Sequence, residues 1–559
     1  MSAADNKNIQ EDDTYVIRGP RLPVRVSQEL VGKEILNALL NAPKNEAAMI
    51  DAFTGEKLLF SELLQRSVNL ARALQTLNHK GQKAVIAICS ENCLDYFIPM
   101  IAALLNGSIT VPVSHFYMAQ ELEHVFNIST PNLIFCSKET LEKVLLLKNN
   151  KLSFIVRVIL LGKKPLNSDG PNNEVTYLNE FVDNALKGRS VSPNSFRPAR
   201  GNVKNTVALI MNSSGTTGLP KGVALSHQCL NVRIAQAKEN FSNITTSENF
   251  LGLMPFYHSF GNLLAFSILL NGKTLVVLKR FDEDVFLKTI QEYKIKYLSV
   301  SPPVVLFLAK SDKVLKYDLS CVKSVRSGAA HLSKDLEEAL ASRLKGVITS
   351  QGYGLTEMTL VVTSVPLDKP RPGSCGKLMS FISGKVRDPQ TGRSLGPNEV
   401  GEFCWKGATL MMGYYKNEQA TKECFTSDGW LRSGDLGYYD EDEYFYIVDR
   451  MKEIIKYKGF QVSPAELEAI LINHPKISDA AVIGLPNKLC GELPLAFVVK
   501  EREDLSEVEV QEYVKGLLSP HKHLRGGVIF VESIPRNPTG KIVRRELKKM
   551  LQNVYKSKL

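Results

Sequence analysis

The chain has 559 residues, more than a single hydrophobic core usually serves, so the sequence predicts at least two domains. A hydrophobic content of 44% and a charged content of 23% are typical of a globular protein, and no run of about 18 apolar residues predicts a membrane span. The formal net charge is +11, but the basic residues are spread out without interleaved aromatic residues, which argues against a nucleic-acid partner.

The cysteines and the two ends of the chain bear on the compartment. The nine cysteines form no Cys-x-x-Cys pair, which favours a reducing compartment and predicts neither a disulfide framework nor a structural zinc site. The first residues, MSAADNKNIQEDD, lack the apolar segment that a secretory signal requires. The last three residues, Ser557-Lys558-Leu559, form a peroxisomal address. We therefore expect recognition by the peroxisomal import receptor and a peroxisomal location.

Residues 45–200 alternate between strand-like and helix-like segments. Residues 85–89 and 108–112 are apolar runs with strand character, and residues 96–105 between them are apolar at helical spacing. A further strand candidate lies at 156–161. Alternation of this kind predicts βαβ units that form a parallel sheet. No pattern in this part of the chain indicates chemistry.

Residues 211–222 lie between two strand-like runs and are rich in hydroxyl side chains and glycine. Glycines let backbone N–H groups point inward as a concave anion site, hydroxyls add donors, and a lysine adds a positive charge for phosphate. The spacing is not that of the Walker motif. The composition predicts a phosphate-binding loop with these members: Ser213, Ser214, Gly215, Thr216, Thr217, Gly218 and Lys221.

The remainder of the chain changes character twice. Residues 386–450 contain short strands separated by turns, which predicts a small β-barrel-like subdomain. Residues 451–559 form a new compositional unit that we interpret as a C-terminal domain. Within it, Ser463-Pro-Ala-Glu466 has the pattern of a capping box and predicts a helix to about residue 473.

Several of these segments resemble, in the right order, the motifs of the adenylate-forming superfamily, which includes acyl-CoA synthetases, 4-coumarate–CoA ligases and beetle luciferases. The phosphate loop reads SSGTTGLPKG, and QGYGLTE (351–357), Gly434-Asp435, Asp449-Arg450 and Pro538-Thr-Gly-Lys541 come after it. The resemblance covers nearly the whole chain after the first ~40 residues. It is strongest to the beetle luciferase branch, which also contains non-luminous acyl-CoA ligases.

The resemblance implies an α/β fold. It has a large N-terminal domain of parallel αβαβα-type sheets and a small β-barrel subdomain, hinged to a small α+β C-terminal domain. The implied hinge residue is Lys452. We place the domains at these boundaries: N-terminal 1–450, comprising a first sheet at about 45–200, the ATP and acyl site at 201–385 and the barrel-like unit at 386–450, then a mobile C-terminal domain at 451–559.

The resemblance also implies ATP, Mg²⁺ and coenzyme A as reactants. It assigns catalysis to Lys541, His258, Thr356, Glu357 and Lys456. Glu357 is also the predicted Mg²⁺ ligand, because a carboxylate beside a triphosphate needs a bridging cation. Lys541 would serve adenylate formation, and rotation of the C-terminal domain would exchange it for the face that carries Lys456. The implied nucleotide-binding residues outside the loop are Gly328, Ala329, Gln351, Gly352, Tyr353, Gly354, Asp435, Arg450, Lys452 and Gln461.

The acyl pocket is where this chain departs from the luciferases it resembles. They carry a Ser-Ala pair where this chain has Leu360-Val361, and the exchange of a small hydroxyl for apolar bulk favours a hydrocarbon over a heteroaromatic substrate. We therefore predict activation of a medium- or long-chain fatty acid and its transfer to coenzyme A. An arginine precedes the 327–330 turn, and if buried it must be paired, solvated or in contact with a substrate anion. The predicted pocket residues are Arg233, Phe260, Leu264, Arg326, Leu360 and Val361.

Three alternatives stay open at this point. The first is a luciferase that oxidises luciferyl-adenylate with O₂ to give light, and the second is an aryl (4-coumarate-like) CoA ligase. The third is a non-catalytic nucleotide-binding relative, which the complete set of expected catalytic residues disfavours. A carrier-protein partner is not expected, since no carrier domain is attached.

Overall fold

The computed structural model describes residues 14–21, 25–162, 175–213, 220–241, 244, 248–366 and 368–556. These residues form an α/β structure with five sheets. Among them, no helix combines the length and the apolar character that crossing a bilayer requires. All nine cysteines are free thiols.

The largest sheet has eight strands and contains both strands that flank the phosphate loop. Six neighbouring strands, from Val207–Ser213 to Val175–Tyr177 in the sheet order, run parallel, as the alternation at 45–200 predicts. Helices connect them. Two antiparallel strands are added at one edge. In spatial order the strands are Gly413–Tyr414, Lys221–Ser226, Val207–Ser213, Ile109–Val113, Val85–Cys89, Leu133–Cys136, Arg157–Leu160 and Val175–Tyr177.

Two smaller sheets complete the α/β part of the molecule. Each begins with three parallel strands and ends in antiparallel ones. The four-stranded sheet has the order Asn249–Gly252, Thr274–Val277, Ala47–Asp51 and Lys57–Leu59. The five-stranded sheet has the order Tyr297–Val300, Ser324–Ser327, Ile348–Leu355, Leu360–Ser364 and Lys377–Leu378.

The β-rich unit predicted at 386–450 is an antiparallel sheet of six strands that begins slightly earlier, at Ile382. It takes in a short strand from near the start of the chain, which no sequence pattern predicts. Its order is Ile17–Arg18, Ile382–Arg387, Gly401–Gly407, Leu431–Tyr439 and Phe445–Arg450, with Ser394–Leu395 beside the second strand.

Fifteen helices are found in the described residues. The helix predicted at 96–105 spans Phe97–Leu105, and every residue in it is buried, in keeping with its continuous apolar sequence. The helices before residue 451 are Gly32–Asn41, Phe60–Thr76, Phe97–Leu105, Ala119–Ser129, Lys138–Asn150, Leu178–Leu186, His227–Phe241, Ser259–Leu270, Glu283–Tyr293, Pro302–Lys310, Lys334–Arg343 and Glu418–Glu423.

The residues after 451 fold around hydrophobic clusters of their own, which contain no residue from the earlier part of the chain. Their sheet has the order Phe460–Val462, Ile455–Tyr457, Gly491–Lys500 and Ile477–Asn487, with Gly527–Phe530 parallel to the third strand. The helices are Pro464–Ile472, Glu507–Leu517 and Arg544–Lys556. A separate core is the property expected of a separate domain.

The capping box predicted at Ser463 is only half formed. The Ser463 hydroxyl accepts a hydrogen bond from the Glu466 backbone N–H at 3.3 Å, and the helix begins at Pro464 as predicted. The Glu466 carboxylate does not return to the cap, because it pairs with Lys522 at 2.6 Å instead. A tertiary ion pair has thus replaced the second, local hydrogen bond.

Candidate active site

Two adjoining cavities lie where the five-stranded sheet, the antiparallel sheet and the C-terminal domain meet. We call the one lined by His258, Arg326, Glu357 and Lys541 the central cavity, and the one lined by Leu332 with Asp449 the flanking cavity. Tyr353, Asp435, Arg450 and Lys541 line both. The central cavity has a volume of about 270 Å³.

Most of the residues predicted for the site meet at these cavities. Those that line the central cavity are Ser213, Lys221, Arg233, His258, Phe260, Arg326, Gly328, Ala329, Gly352, Tyr353, Gly354, Thr356, Glu357, Leu360, Val361, Asp435, Arg450 and Lys541. Gln351 lines the flanking cavity. The loop members Ser214, Gly215, Thr216, Thr217 and Gly218 lie outside the described residues.

Four predicted residues do not line either cavity. Leu264 lies one helical turn beyond Phe260 and, like Phe260 and Val361, packs against the main hydrophobic core, so its place in the acyl pocket stays a prediction. Lys456 and Gln461 are exposed partners across a hairpin of the C-terminal domain. Lys452 lies in the turn after Arg450, at the junction of the two parts of the chain.

The two ends of the phosphate loop are held together by the sheet. Ser213 ends one strand and Lys221 begins the next, and the two residues are direct partners in the antiparallel register. The Lys221 ammonium lies 4.7 Å from the centre of the Tyr414 ring. A cation over an aromatic face is attracted by the ring electrons. The loop lysine therefore has a defined position at the wall of the cavity.

Tyr414 also holds the carboxylate predicted to bind Mg²⁺. Its hydroxyl donates to Glu357 Oε1 at 3.0 Å, while burial, followed by the nearby Glu357 charge, raises the pKa of Tyr414, so it stays a phenol. Glu357 Oε2 accepts no hydrogen bond from a described residue. One free carboxylate oxygen beside a phosphate site suits Mg²⁺, which takes one or two carboxylates and completes its shell with phosphate and water.

His258 caps the helix that carries Phe260. Its Nδ1 accepts a hydrogen bond from the Phe260 backbone N–H at 3.3 Å. Burial, assisted by the positive charge of Lys541, lowers the pKa of His258 to about 4. The ring is therefore neutral near pH 7, and since Nδ1 is the acceptor, Nε2 carries the proton and is a donor.

Lys541 is brought into the cavity by a tight turn. The Asn537 side-chain oxygen accepts from the backbone N–H groups of Thr539 and Lys541 at 3.1 and 2.9 Å. Burial, followed by the charge of Arg450, lowers the pKa of Lys541 to about 8, against the opposing influence of Glu453 and Asp435. The side chain is a partly desolvated cation, and an anion that enters the cavity would stabilise its charged form.

A chain of polar contacts joins the two cavities. The Tyr353 hydroxyl donates to Asp435 Oδ2 at 2.7 Å, and Arg450 Nε lies 3.3 Å from Asp435 Oδ1. The Tyr353 ring packs against Trp405 with ring centres 5.7 Å apart, so only part of its surface remains for a ligand. Burial, followed by the Asp435 charge, raises the pKa of Tyr353. The carboxylate is thus fixed at the rim by one neutral and one cationic donor.

The small residues around Tyr353 have structural reasons to be small. A Cβ at Gly354 would lie 1.8 Å from the Leu360 carbonyl oxygen, so only glycine allows the two strands to approach there. Gln351 is committed to the fold, because its amide exchanges two hydrogen bonds with the Leu332 backbone at 3.0 and 3.3 Å. It braces the 327–332 turn, and Ala329 in that turn has a φ of +73°.

Sequence reasoning missed two contributors. Tyr414 has no motif of its own and reaches the site through pairing of its strand with Val223. Asp449 is part of the Asp449-Arg450 motif, but the sequence predicts no role for it. Its carboxylate accepts hydrogen bonds from the Ser463 hydroxyl at 2.5 Å and from the Ala465 N–H at 3.1 Å. It therefore links the antiparallel sheet to the first helix of the C-terminal domain.

Comparisons with known proteins agree with this geometry. The family described as AMP-binding enzyme matches residues 37–415, and its C-terminal domain matches residues 466–541. Luciferin 4-monooxygenase of Photuris pensylvanica is 42% identical over 98% of this chain and 100% of its own. Peroxisomal OPC-8:0-CoA ligase 1 of Arabidopsis thaliana is 35% identical over 91% of both chains.

Among solved structures, ATP-bound MatB from Rhodopseudomonas palustris superposes with a TM-score of 0.81 at 25% identity, over 93% of this chain and 99% of its own. The fold and the sequence thus lead to one family. The chain belongs to the AMP-binding enzyme family and is an adenylate-forming enzyme of the AMP-forming ligase class.

Proposed function

We propose that this protein activates a carboxylic acid with ATP and transfers the acyl group to coenzyme A. The observation that carries the proposal is the meeting of Lys541, from the C-terminal domain, with His258, Thr356 and Glu357 in one cavity. Cationic side chains outnumber carboxylates among the residues that line it. A cavity of this kind suits a reaction between two anions, whose repulsion is the main obstacle.

In the first half-reaction, a carboxylate oxygen attacks the α-phosphorus of ATP and forms a new P–O bond. The P–O bond to the bridging oxygen breaks, and pyrophosphate leaves with that oxygen. Lys541 would neutralise the two anions as they approach, and His258 would donate from Nε2 to an oxygen of the acid or phosphate. Lys221 would hold the departing phosphates. Glu357 would hold Mg²⁺, which would supply further positive charge to the phosphate end of the site.

In the second half-reaction, the thiolate of coenzyme A attacks the acyl carbon, the C–S bond forms, and AMP leaves as the C–O bond breaks. We propose that the C-terminal domain, residues 451–559, turns about Lys452 between the two steps. The exposed position of Lys456 and Gln461 supports this proposal, because a group that is needed only after rotation should lie away from the cavity before it.

We propose a medium- or long-chain fatty acid as the substrate. Phe260, Leu360, Val361 and Met379 give the central cavity an apolar wall that suits a hydrocarbon chain. Leu360 has a φ of +87°, in the left-handed region that few non-glycine residues adopt. A residue held there is positioned by its surroundings rather than by its own preference.

A luciferase is the second candidate, because a relative that matches nearly the full chain at 42% identity is named luciferin 4-monooxygenase. An aryl-CoA ligase would use the same residues with a flat ring in the apolar part of the cavity. These candidates share the adenylation step and differ in the acid they activate or in the fate of the adenylate, so the test must record all three products.

The experiment is a panel of alkyl, aryl and luciferin acids assayed in parallel for pyrophosphate exchange, for AMP release with and without coenzyme A, and for light. We expect AMP release that depends on coenzyme A, with alkyl acids as the best substrates and little light. Strong luminescence with luciferin would replace the proposal with the luciferase. Exchange with aryl acids alone would replace the fatty acid with an aromatic one.

We further propose that the protein is peroxisomal. The proposal rests on the terminal Ser557-Lys558-Leu559, which lies outside the described residues, and on the name of the 35% identical plant relative. Imaging of an N-terminally tagged chain with and without the last three residues tests it. We expect loss of peroxisomal signal on deletion with activity retained, and an unchanged location would contradict the proposal.

A further inference from the structure

Two arginines line the central cavity without a carboxylate to balance them. Arg233 comes from the helix His227–Phe241 and Arg326 from the strand Ser324–Ser327, so two different elements direct a guanidinium to one place. Arg233 is buried, with 7% of its surface exposed. Its Nε has no hydrogen-bond partner, and its NH1 reaches only the Gln236 amide oxygen at 3.4 Å.

The Arg326 side chain makes no hydrogen bond or ion pair with any residue that the structure describes, although its backbone pairs with both neighbouring strands. Its charge is close enough to act on Arg233. Burial, followed by the Arg326 charge, lowers the pKa of Arg233 to about 10, so it remains a cation at neutral pH. Arg233 is buried and Arg326 is partly exposed, and two like charges so placed repel each other and are costly unless an anion joins them.

The other arginines of the cavity wall show what a satisfied arginine looks like here. Arg432 pairs with Glu402 at 3.0 Å and Arg450 with Asp435 at 3.3 Å. The only carboxylates among the described lining residues are Glu357 and Asp435. Glu357 is held by Tyr414 through one oxygen, Asp435 is held by Tyr353 and Arg450, and among the described residues neither carboxylate forms an ion pair with Arg233 or Arg326.

The position of Arg326 separates the pair from the phosphate end. Arg326 stands opposite Ser350 on the neighbouring parallel strand, and Thr356 lies six residues further along. Six extended residues span roughly 20 Å of backbone. The guanidinium lies closer to Thr356 than that wherever the arginine side chain extends toward it. Lys221, Lys541 and Arg450 already supply cations near the phosphates, so the pair is not needed there.

We propose that Arg233 and Arg326 bind a second carboxylate at the far end of the acyl chain, so the substrate is an α,ω-dicarboxylic fatty acid. The inference rests on the proposed function and specifies its substrate. One carboxylate reacts at Lys541, the apolar wall of Leu360 and Val361 covers the methylenes, and the other carboxylate accepts from both arginines and offsets their mutual repulsion. Guanidinium groups suit this task because they bind carboxylates through paired N–H donors.

The test compares each diacid with its own monomethyl ester, which keeps the length and removes only the distal charge. Adipic, suberic and sebacic acids, their monomethyl esters and the monoacids of equal length are assayed by pyrophosphate exchange. We expect the best diacid to exceed its monoester in kcat/KM by roughly tenfold or more, the size expected for a charge-assisted bidentate contact. Equal values for diacid and monoester would overturn the inference.

Substitution locates the effect. In Arg326→Met the diacid should lose roughly tenfold or more while the monoacid gains, because the pocket becomes apolar, and Arg326→Lys should keep part of the preference. Arg189→Met, at an exposed arginine that lines neither cavity, is the matched control and should retain the native ratio. An unchanged diacid-to-monoacid ratio in Arg326→Met would contradict the proposed site.

A binding measurement on the unmodified protein separates this inference from the proposed function. The diacid should raise the thermal midpoint more than its monoester does, whether or not turnover occurs. Activation of monoacids with no preference for diacids would overturn the inference and leave the proposed function standing. A diacid-specific shift without adenylation of any acid would support the arginine site and overturn the proposed function.

Discussion

The C-terminal domain presents two lysines, each near a turn that contains a glycine, and the two lysines differ in their surroundings. Lys541 comes after Gly540, whose φ is +84°, and its side chain lies in the central cavity. Lys456 precedes Gly459, whose φ is +82°, and it is exposed. The backbone needs are nearly the same at both turns. The two turns differ in the surface against which each one packs.

The Lys541 turn is docked on the N-terminal part of the chain. A Cβ at Gly540 would lie 2.8 Å from the Ser301 hydroxyl oxygen and 3.0 Å from Pro303, whereas a Cβ at Gly459 would meet nothing within 4 Å. Glycine is required at the first turn by contact as well as by φ. One face of the domain is therefore fitted to the cavity, while the other face is left free of it.

The docked domain is joined to the rest of the chain by the buried bond between Ser463 and Asp449 and by polar contacts nearer the surface. Lys310 donates to the Ile472 carbonyl at 2.5 Å, and Asn473 donates to Asp335 at 2.5 Å, and both donors are exposed or partly so. Exposed polar contacts of this kind contribute about 0–1 kcal/mol each. The contacts nearer the surface can therefore break at little cost when the domain rotates.

The largest effect should come from removing the docked lysine. Lys541→Ala should lower the rate of adenylate formation by ~10²–10³-fold, because one preorganised cation is lost from the reacting end of the cavity. Thioester formation from a supplied acyl-adenylate should be largely retained. Pyrophosphate exchange and a direct acyl-adenylate assay measure the two steps separately. Equal loss in both assays would contradict a division of labour between the faces.

The exposed lysine should show the reverse pattern with a smaller effect. Lys456→Ala should leave pyrophosphate exchange close to that of the unmodified protein and lower thioester formation by roughly tenfold to a hundredfold, as misplacement of a reacting group does. The same pair of assays applies, with circular dichroism to show that the fold is intact. Loss of exchange in this variant would mean that Lys456 acts in the docked state, and the rotation proposal would fall.

A glycine pair tests the docking itself. Gly540→Ala and Gly459→Ala both place a side chain in the left-handed region, so each should cost about 1–2 kcal/mol of stability. Only Gly540→Ala adds a collision with Ser301, so only this variant should lower adenylation further, by about threefold to tenfold. Thermal midpoints and exchange rates are compared side by side. Matching losses of exchange would show that the contact at Ser301 is unimportant.

The sequence predicted the fold wherever short-range pattern was sufficient. The alternating elements at 85–112 appear as the strand Val85–Cys89, the helix Phe97–Leu105 and the strand Ile109–Val113, since their apolar periodicity is strong. The second half of the capping box failed at Glu466, which pairs with Lys522. That partner lies far along the sequence, and no local pattern announces it.

The motif residues of the site could be predicted from the sequence. The positions that depend on tertiary packing could not. The motif residues Thr356, Glu357, Asp435 and Lys541 meet in one cavity. Leu264 is not among the residues that line the cavity, because a helix of continuous apolar sequence does not reveal which of its faces meets a cavity and which meets the core. The missing ion-pair partner of Arg326 is likewise a tertiary fact, which only the structure could supply.

The last prediction concerns the pH dependence of the docked lysine. An amine is a cation below its pKa, and burial lowers the pKa of Lys541 to about 8, so the cationic fraction falls as the pH rises through that value. For adenylation, kcat/KM reports on the free enzyme and should fall about tenfold between roughly pH 7 and pH 9. His258, whose pKa is lowered to about 4, stays neutral throughout and does not contribute to the pH dependence of kcat/KM.

Lys541→Arg is the matched control, because a guanidinium remains protonated over this range and the substrates titrate identically with both proteins. The Lys541→Arg variant should have a lower kcat/KM for adenylation, and this value should not change between roughly pH 7 and pH 9. A parallel decline in both proteins would assign the slope to the substrates, and a flat profile in the unmodified enzyme would mean that Lys541 is not the cation on which the step depends.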